Sequence, residues 1–190
     1  MSNIRYSIKI FSPWHCGSGL SAGADVDALV IKDKNDLPYI PGKTLKGLIR
    51  EAVEDYASLS NTLTKEALDE AFGLPADADK TDKNISGSAF FTNATLDDRE
   101  AQAIISNHAQ PFLLHHVSST AIGDDGVAND HSLRSIETVV PCTLHAAIYD
   151  LPDDVAAVIE QSFGMIHHIG LNRSRGLGRC DFHIEKGGKK

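Results

Sequence analysis

Near the start of the chain Ile4, Tyr6, Ile8 and Ile10 alternate with Arg5, Ser7 and Lys9, the two-residue period of a strand with one buried face. A strand of this kind commits the chain to a sheet with apolar side chains packed on one side. Ser12-Pro13-Trp14-His15-Cys16-Gly17-Ser18-Gly19 breaks the pattern. The loop runs on through Gly23 to a second extended stretch at 26–32, which Asp33-Lys34-Asn35-Asp36 ends. Beyond Pro41-Gly42, Leu45, Leu48, Ile49, Ala52, Val53 and Tyr56 fall at i, i+3, i+4, i+7, i+8 and i+11, which predicts an amphipathic helix over about 43–57.

Thr64 is placed to cap a second short helix that Gly73 closes. Residues 77–87 read as a polar loop, 89–92 as a buried strand and 97–106 as a short helix. Gly123-Asp124-Asp125-Gly126, flanked by Thr120-Ala121-Ile122 and Val127-Ala128, suggests a projecting β-hairpin. Residues 136–149 are strand-like again. Pro152-Asp153-Asp154 starts a helix well, with a helix-compatible proline and acidic side chains that complement the dipole. Val155, Val158, Ile159, Phe163 and Ile166 form its apolar face. A glycine-rich turn and a last strand follow at 176–184. With the hairpin set aside, the order is strand, helix, strand, strand, helix, strand. That is the ferredoxin-like (RRM-like) βαββαβ plan, an α+β core whose antiparallel sheet can place the first and last strands side by side.

At 190 residues the chain has the size of a single domain with insertions, expected at about 58–88 and about 118–135. It is long enough to bury roughly 70% of its unfolded surface without help from metal or disulfide. A composition of 42% hydrophobic and 23% charged residues is that of an ordinary globular protein. No window offers the roughly 18 consecutive apolar residues of a membrane span, and no secretory signal precedes the first strand, so a cytoplasmic protein without membrane contact is expected. Cys16, Cys142 and Cys180 lie far apart and form no CxxC pair; they read as small buried hydrophobes rather than as a disulfide framework or a zinc knuckle.

A net charge of −8 counts, taken alone, against a nucleic-acid partner. The average hides a division: residues 1–50 sum to +3, 51–160 to −15 and 161–190 to +4. If the two ends meet in the fold they make one basic surface on an acidic protein. A solubilising acidic midsection between unremarkable ends fits the same numbers.

Four segments carry candidate chemistry. Gly170-Leu171-Asn172-Arg173-Ser174-Arg175-Gly176-Leu177-Gly178-Arg179 joins glycines, which let a backbone approach phosphate closely, to arginines, which bind phosphate oxygens in pairs. It lacks a Walker ending and does not open onto a helix, so a polyphosphate backbone suits it better than one nucleotide; a plain basic turn is the alternative. Lys43, Lys46 and Arg50 stand at the N-terminal end of a helix, where the dipole favours anions. An anion held jointly by the helix N–H groups and these cations explains the placement, and solvated surface lysines are the bland alternative. Asp25 and Asp27 flank Val26, so on an extended backbone their carboxylates share one face and can hold Mg²⁺ or orient a hydroxyl; most loop aspartates are only turn residues. His115-His116 and His167-His168 make poor chelates, because adjacent residues diverge on either a strand or a helix. His15, in a glycine loop after a strand, is better placed to meet a ligand.

Together these segments resemble the RAMP superfamily, the repeat-associated proteins of CRISPR effector complexes. His15-Cys16-Gly17-Ser18-Gly19 is similar to the family's loop after its first strand. Asp36-Leu37-Pro38-Tyr39-Ile40-Pro41-Gly42-Lys43-Thr44-Leu45-Lys46-Gly47-Leu48-Ile49-Arg50 is similar to its PYIPGSSLKGxxR signature, with Lys43-Thr44 in place of the serine pair. The stretch 122–137, with Gly126, Ala128, Leu133 and Glu137, is similar to the thumb hairpin and the strand after it, and 170–178 to the C-terminal glycine-rich loop.

The resemblance is strongest to the backbone subunits of type III complexes, and it implies the following roles. Guide RNA, target RNA and other subunits, including further copies of the chain itself, are the partners. Lys43, Lys46, Arg50, Arg173, Ser174 and Arg175, with His15, contact the guide, and a thumb at about 118–135 presses on the guide–target duplex. Asp27, with Asp25 in reserve, is the candidate for metal-dependent cleavage of paired target RNA. With Mg²⁺ it positions the ribose 2′-OH for in-line attack on the adjacent phosphate. Two alternatives stand beside it, a non-catalytic RNA-binding or filament-capping subunit and a structural subunit that contacts only protein.

Overall fold

The computed structural model describes residues 1–23, 26–74 and 86–185. In chain order the elements are β1 (Ser2–Ile10), α1 (Gly42–Ser60), α2 (Lys65–Phe72), β2 (Phe90–Phe91), α3 (Asp98–Ser106), β3 (Leu114–Ser119), β4 (Arg134–Val139), β5 (Thr143–Leu151), α4 (Asp153–Phe163) and β6 (Cys180–Ile184), with short 3₁₀ turns at Gln110–Leu113 and Arg173–Arg175. Strands β2, β5, β1 and β6 lie in that order in one sheet, antiparallel throughout, and β3 and β4 form a separate two-stranded ribbon. With the ribbon, α2 and α3 set aside, β1-α1-β2-β5-α4-β6 is the expected ferredoxin-like α+β plan, and the first and last strands are neighbours.

The alternation that opens the sequence decides which side the helices cover. Tyr6 and Ile8 are fully buried and stand opposite Ala146 and Leu144 on β5 and Ile184 and Phe182 on β6. Helices α1 and α4 pack on this face and against each other. The rings of Tyr6, Phe163 and Phe182 meet at centroid distances of 5.1, 5.9 and 5.2 Å, pairs worth about 0.5–1.5 kcal/mol each beyond their buried area. The Tyr6 hydroxyl finds no partner there, and burial pushes its pKa above the usual phenol range.

Helix boundaries follow local chemistry. Asn61, left-handed at φ 52°, ends α1 by donating its N–H to the Ala57 carbonyl. At the other end the Gly42 N–H donates to Asn93 Oδ1 at 2.9 Å, and a Cβ at Gly42 would fall on the Phe91 carbonyl oxygen. Thr64 Oγ1 accepts the Ala67 N–H at 3.3 Å to start α2, and Gly73 closes it, as the sequence indicated.

Three details differ from the sequence reading. The extended run at 136–149 is two strands of different sheets, separated at Val140-Pro141-Cys142, where Pro141 has no N–H to continue a ladder. The hairpin expected over about 118–135 is longer at its root, where Leu114 pairs with Val139, while its end closes through Ile122 and Ala128. Residues 26–32 form isolated bridges instead of a regular strand, Gly17 to Val30, Ala28 to Ile136 and Lys32 to Pro38. Part of the insertion expected at about 58–88, including most of the 77–87 loop, lies at 75–85, outside the described residues. Among the described residues no helix is long and apolar enough to cross a membrane.

Candidate nucleic-acid interface

The loop after β1 is tied to three other segments at once. On one side Ser12 Oγ accepts the Arg179 N–H at 2.9 Å, the Pro13 carbonyl accepts from Gly178 at 2.8 Å and the His15 carbonyl accepts from Leu171 at 2.9 Å. On the other side Trp14 exchanges both backbone bonds with Val139 of β4, Cys16 accepts from Ile31 and Ser18 donates to Leu29. The glycine-rich loop therefore lies directly on the first loop. Two glycines make this approach possible: a Cβ at Gly170 would fall on the His15 carbonyl oxygen, and one at Gly178 on that of Ile169, and both residues have positive φ. The first loop thus meets the loop that carries Arg173, Arg175 and Arg179.

His15 does not serve as an exposed ligand contact. It is 2% exposed, and its Nδ1 lies 2.6 Å from the Glu137 carbonyl oxygen, so it buttresses the loop. Glu137 was visible only as part of a hairpin pattern, and its role emerges here. Its buried carboxylate accepts the Val30 N–H at 2.9 Å and pairs with Lys32 Nζ at 2.8 Å, while its own N–H donates to Ala28. A lone acid among Ile136, Val139 and Val140 was the available signal, since a buried carboxylate requires donors.

Asp27 is exposed beside this junction. Its Oδ2 accepts the Ser135 N–H at 2.7 Å and its backbone N–H donates to the Ser135 carbonyl at 2.8 Å, so it is fixed at the root of the ribbon, with no partner for its other oxygen among the described residues. It shares a shallow hollow with Gly17, Gly19, Ser21 and Leu171. Asp25 falls outside the described residues. No group of three or more His, Cys, Asp or Glu residues able to hold a metal occurs among the described residues. One open carboxylate oxygen fits Mg²⁺ as that ion binds beside RNA, through one or two carboxylates, substrate phosphates and retained waters.

The cations separate into two groups. Lys43 is exposed at the start of α1, close to the first loop: burial raises the Cys16 thiol pKa, and a hydrogen bond from Thr44 and the Lys43 charge oppose the rise. Arg173, Ser174 and Arg175 are exposed on their 3₁₀ turn. Lys43, Arg173 and Arg175 make no ion pair with the described residues. Arg50, by contrast, is spent on structure. Its Nε pairs with Glu54 at 2.6 Å, and its two terminal nitrogens reach the Gly73 carbonyl at 2.8 Å and Asp69 at 3.4 Å. At 100° per residue Lys43, Lys46 and Arg50 share a stripe, and Arg50 shows that this stripe turns toward α2. Of the other two, Lys43 is exposed near Cys16 of the first loop and Lys46 is half-buried.

Between the glycine-rich loop and α1 runs a cleft of about 430 Å³ whose walls include Trp14, Leu45, Leu48, Glu51, Leu171 and Arg173. It continues along α1 toward Asp55 and Met165. A largely apolar groove with Arg173 in its wall, on a chain whose ribbon exposes Ile122, Val127 and Leu133, suits an extended polyanion with apolar faces better than a compact anion.

The fold is found in solved structures of low sequence similarity. A chain of a Type III-B Cmr-beta assembly bound to cognate target RNA, seen by cryo-EM, superposes with a TM-score of 0.72 over 97% of each chain at 11% identity. One from the apo state of Type III-B Cmr-beta gives 0.70, again over 97% of each at 11% identity. No curated protein sequence matches the chain. The family model of the RAMP superfamily matches residues 7–181, from within the first strand through both interlocked loops and the hairpin to the start of the last strand, and the chain belongs to the RAMP superfamily.

Proposed function

We propose that this protein binds the backbone of a guide RNA within a type III CRISPR effector complex and that Asp27 takes part in cutting the paired target RNA. One observation supports the binding most strongly: Lys43, Arg173 and Arg175 stand exposed and without ion pairs to any described residue, around two interlocked loops, one of them glycine-rich. Such a surface meets phosphates through charge and backbone N–H groups, and guide pairing supplies the sequence specificity. Arg50 and His15 have no part in this contact, because one joins α1 to α2 and the other is buried.

For cleavage, Asp27 is held at the ribbon root by Ser135, so a target strand displaced by the ribbon passes its open oxygen. There it accepts a hydrogen bond from the attacking 2′-OH and orients it. A Mg²⁺ ion at this carboxylate would supply charge neutralisation at the phosphate. A non-catalytic guide-binding subunit is the second reading. The commitment of one Asp27 oxygen to Ser135 favours it, as does the lack, among the described residues, of a group of three or more potential metal ligands.

The test is a guide-loaded complex assembled with wild-type or Asp27→Ala protein, with cleavage of complementary RNA measured with and without Mg²⁺. Cleavage lost in the variant, with guide and target retained, assigns the reaction to Asp27. Equal cutting leaves this chain as a binding subunit. Failure of the wild type to hold guide RNA removes the binding proposal, and the protein-only subunit then stands.

A further inference from the structure

We infer that the cleft between α1 and the glycine-rich loop is a slot for one base of the bound RNA, and that Glu51 makes it prefer cytosine to uracil. This rests on the RNA-binding reading above. The charges in the cleft are the reason. Glu51 and Arg173 line the same walls, yet neither pairs with the other or with any other described residue. An occupant that satisfies both presents an anion to Arg173, a hydrogen-bond donor to Glu51 and a flat body to the apolar walls that include Leu48 and Leu171. A nucleotide carries all three: the phosphate is the anion, and the base is a flat body with hydrogen-bond donors on its edge. The volume of about 430 Å³ is within the range of about 300–1,000 Å³ that encloses small organic ligands. A phosphate chain does not itself belong inside, because Glu51 and, further along, Asp55 repel it. The strand therefore passes the mouth near Arg173 with one base turned inward, as single-stranded RNA is commonly read.

Glu51 sets the preference. A carboxylate accepts from the N4 amino group of cytosine, whereas uracil offers the O4 acceptor at the same place. The two bases are nearly equal in size, so the difference isolates that contact. A chain repeated along a guide meets every base in turn, so a selective slot belongs to a chain at a fixed place where the base is constant.

The experiment uses the full chain and fluorescein-labelled hexanucleotides of cytidine and uridine, with affinities read by fluorescence anisotropy. Wild type is expected to bind the cytidine oligomer at least about fivefold more tightly. Glu51→Gln, whose amide serves either base, is expected to bring the ratio below about twofold, while Lys43→Ala and Arg173→Ala weaken both oligomers. Glu51 is exposed, so its replacement leaves the core intact. A 5-iodocytidine oligomer should photocrosslink to residues 165–174 or 44–52. Equal wild-type affinities, a ratio unchanged by Glu51→Gln, or crosslinks confined to other segments overturn the slot; if Lys43→Ala and Arg173→Ala still weaken binding, the RNA-binding reading survives. Absence of binding to either oligomer overturns both.

Discussion

A methyl group at position 170 would collide with the carbonyl oxygen of His15, whereas one at position 176 meets nothing within 4 Å, although both glycines have positive φ, 78° and 87°. Gly170→Ala is therefore expected to cost about 1–3 kcal/mol more than Gly176→Ala, measured by urea unfolding, because the first forces two loops apart and the second only strains its own backbone. The thiols behave as buried groups: desolvation pushes Cys142 to about 11 and Cys180 to about 12, with the Asp181 charge adding to the latter. In the folded state these thiols bind protons that the unfolded chain releases, so their contribution to stability is complete below about pH 8.5. It is lost as pH rises toward 11 and 12. Unfolding midpoints at pH 7 and pH 10 should show the fall, and Ellman's reagent at pH 8 should react slowly until denaturant is added. His15 illustrates the limit of reading at this scale. Its loop is plain in the sequence, but its burial depends on Glu137, 122 residues away.

Among elements, α1 and α2 are joined by one side chain. Arg50→Ala removes contacts to Glu54, Asp69 and the Gly73 carbonyl and should destabilise the protein by about 1–2 kcal/mol, without changing the salt dependence of RNA binding. Lys43→Ala should leave stability nearly unchanged and make that dependence shallower by about one charge. Glu137→Ala strands Lys32 and the Val30 N–H and should cost roughly 2 kcal/mol. That is below the value for a fully buried pair, because the Lys32 side chain is 25% exposed. These elements differ in how far sequence discloses them. The faces of α1 and α4 and the alternation in β1 repeat over single turns or residue pairs, so a short window contains them. The split between β4 and β5, the full ribbon root and the Glu137 junction are set by contacts between distant segments, and no local period reports them.

For the whole molecule, the ferredoxin-like order was legible because each core element has its own local signature, and the pairing of the first and last strands follows from that order alone. Which cation faces the cleft was not: Lys43, Lys46 and Arg50 look equivalent in the sequence, yet Arg50 is taken up by α2 and the cation in the cleft wall is Arg173. Native-state hydrogen exchange should rank the parts. The amides of β1, bonded on both sides by β5 and β6, should exchange slowest, and those of 120–133 fastest. Among the described residues the ribbon is bound to the body at its base, by contacts that include Trp14 with Val139, Ala28 with Ile136, Asp27 with Ser135 and those of Glu137 with Val30 and Lys32. Its far end is consequently an exchangeable part: residues 123–126 can be lengthened or rewritten at about 0.6 kcal/mol per doubling of the loop. The reach of the ribbon is thus free to vary while the base that holds Asp27 stays in register.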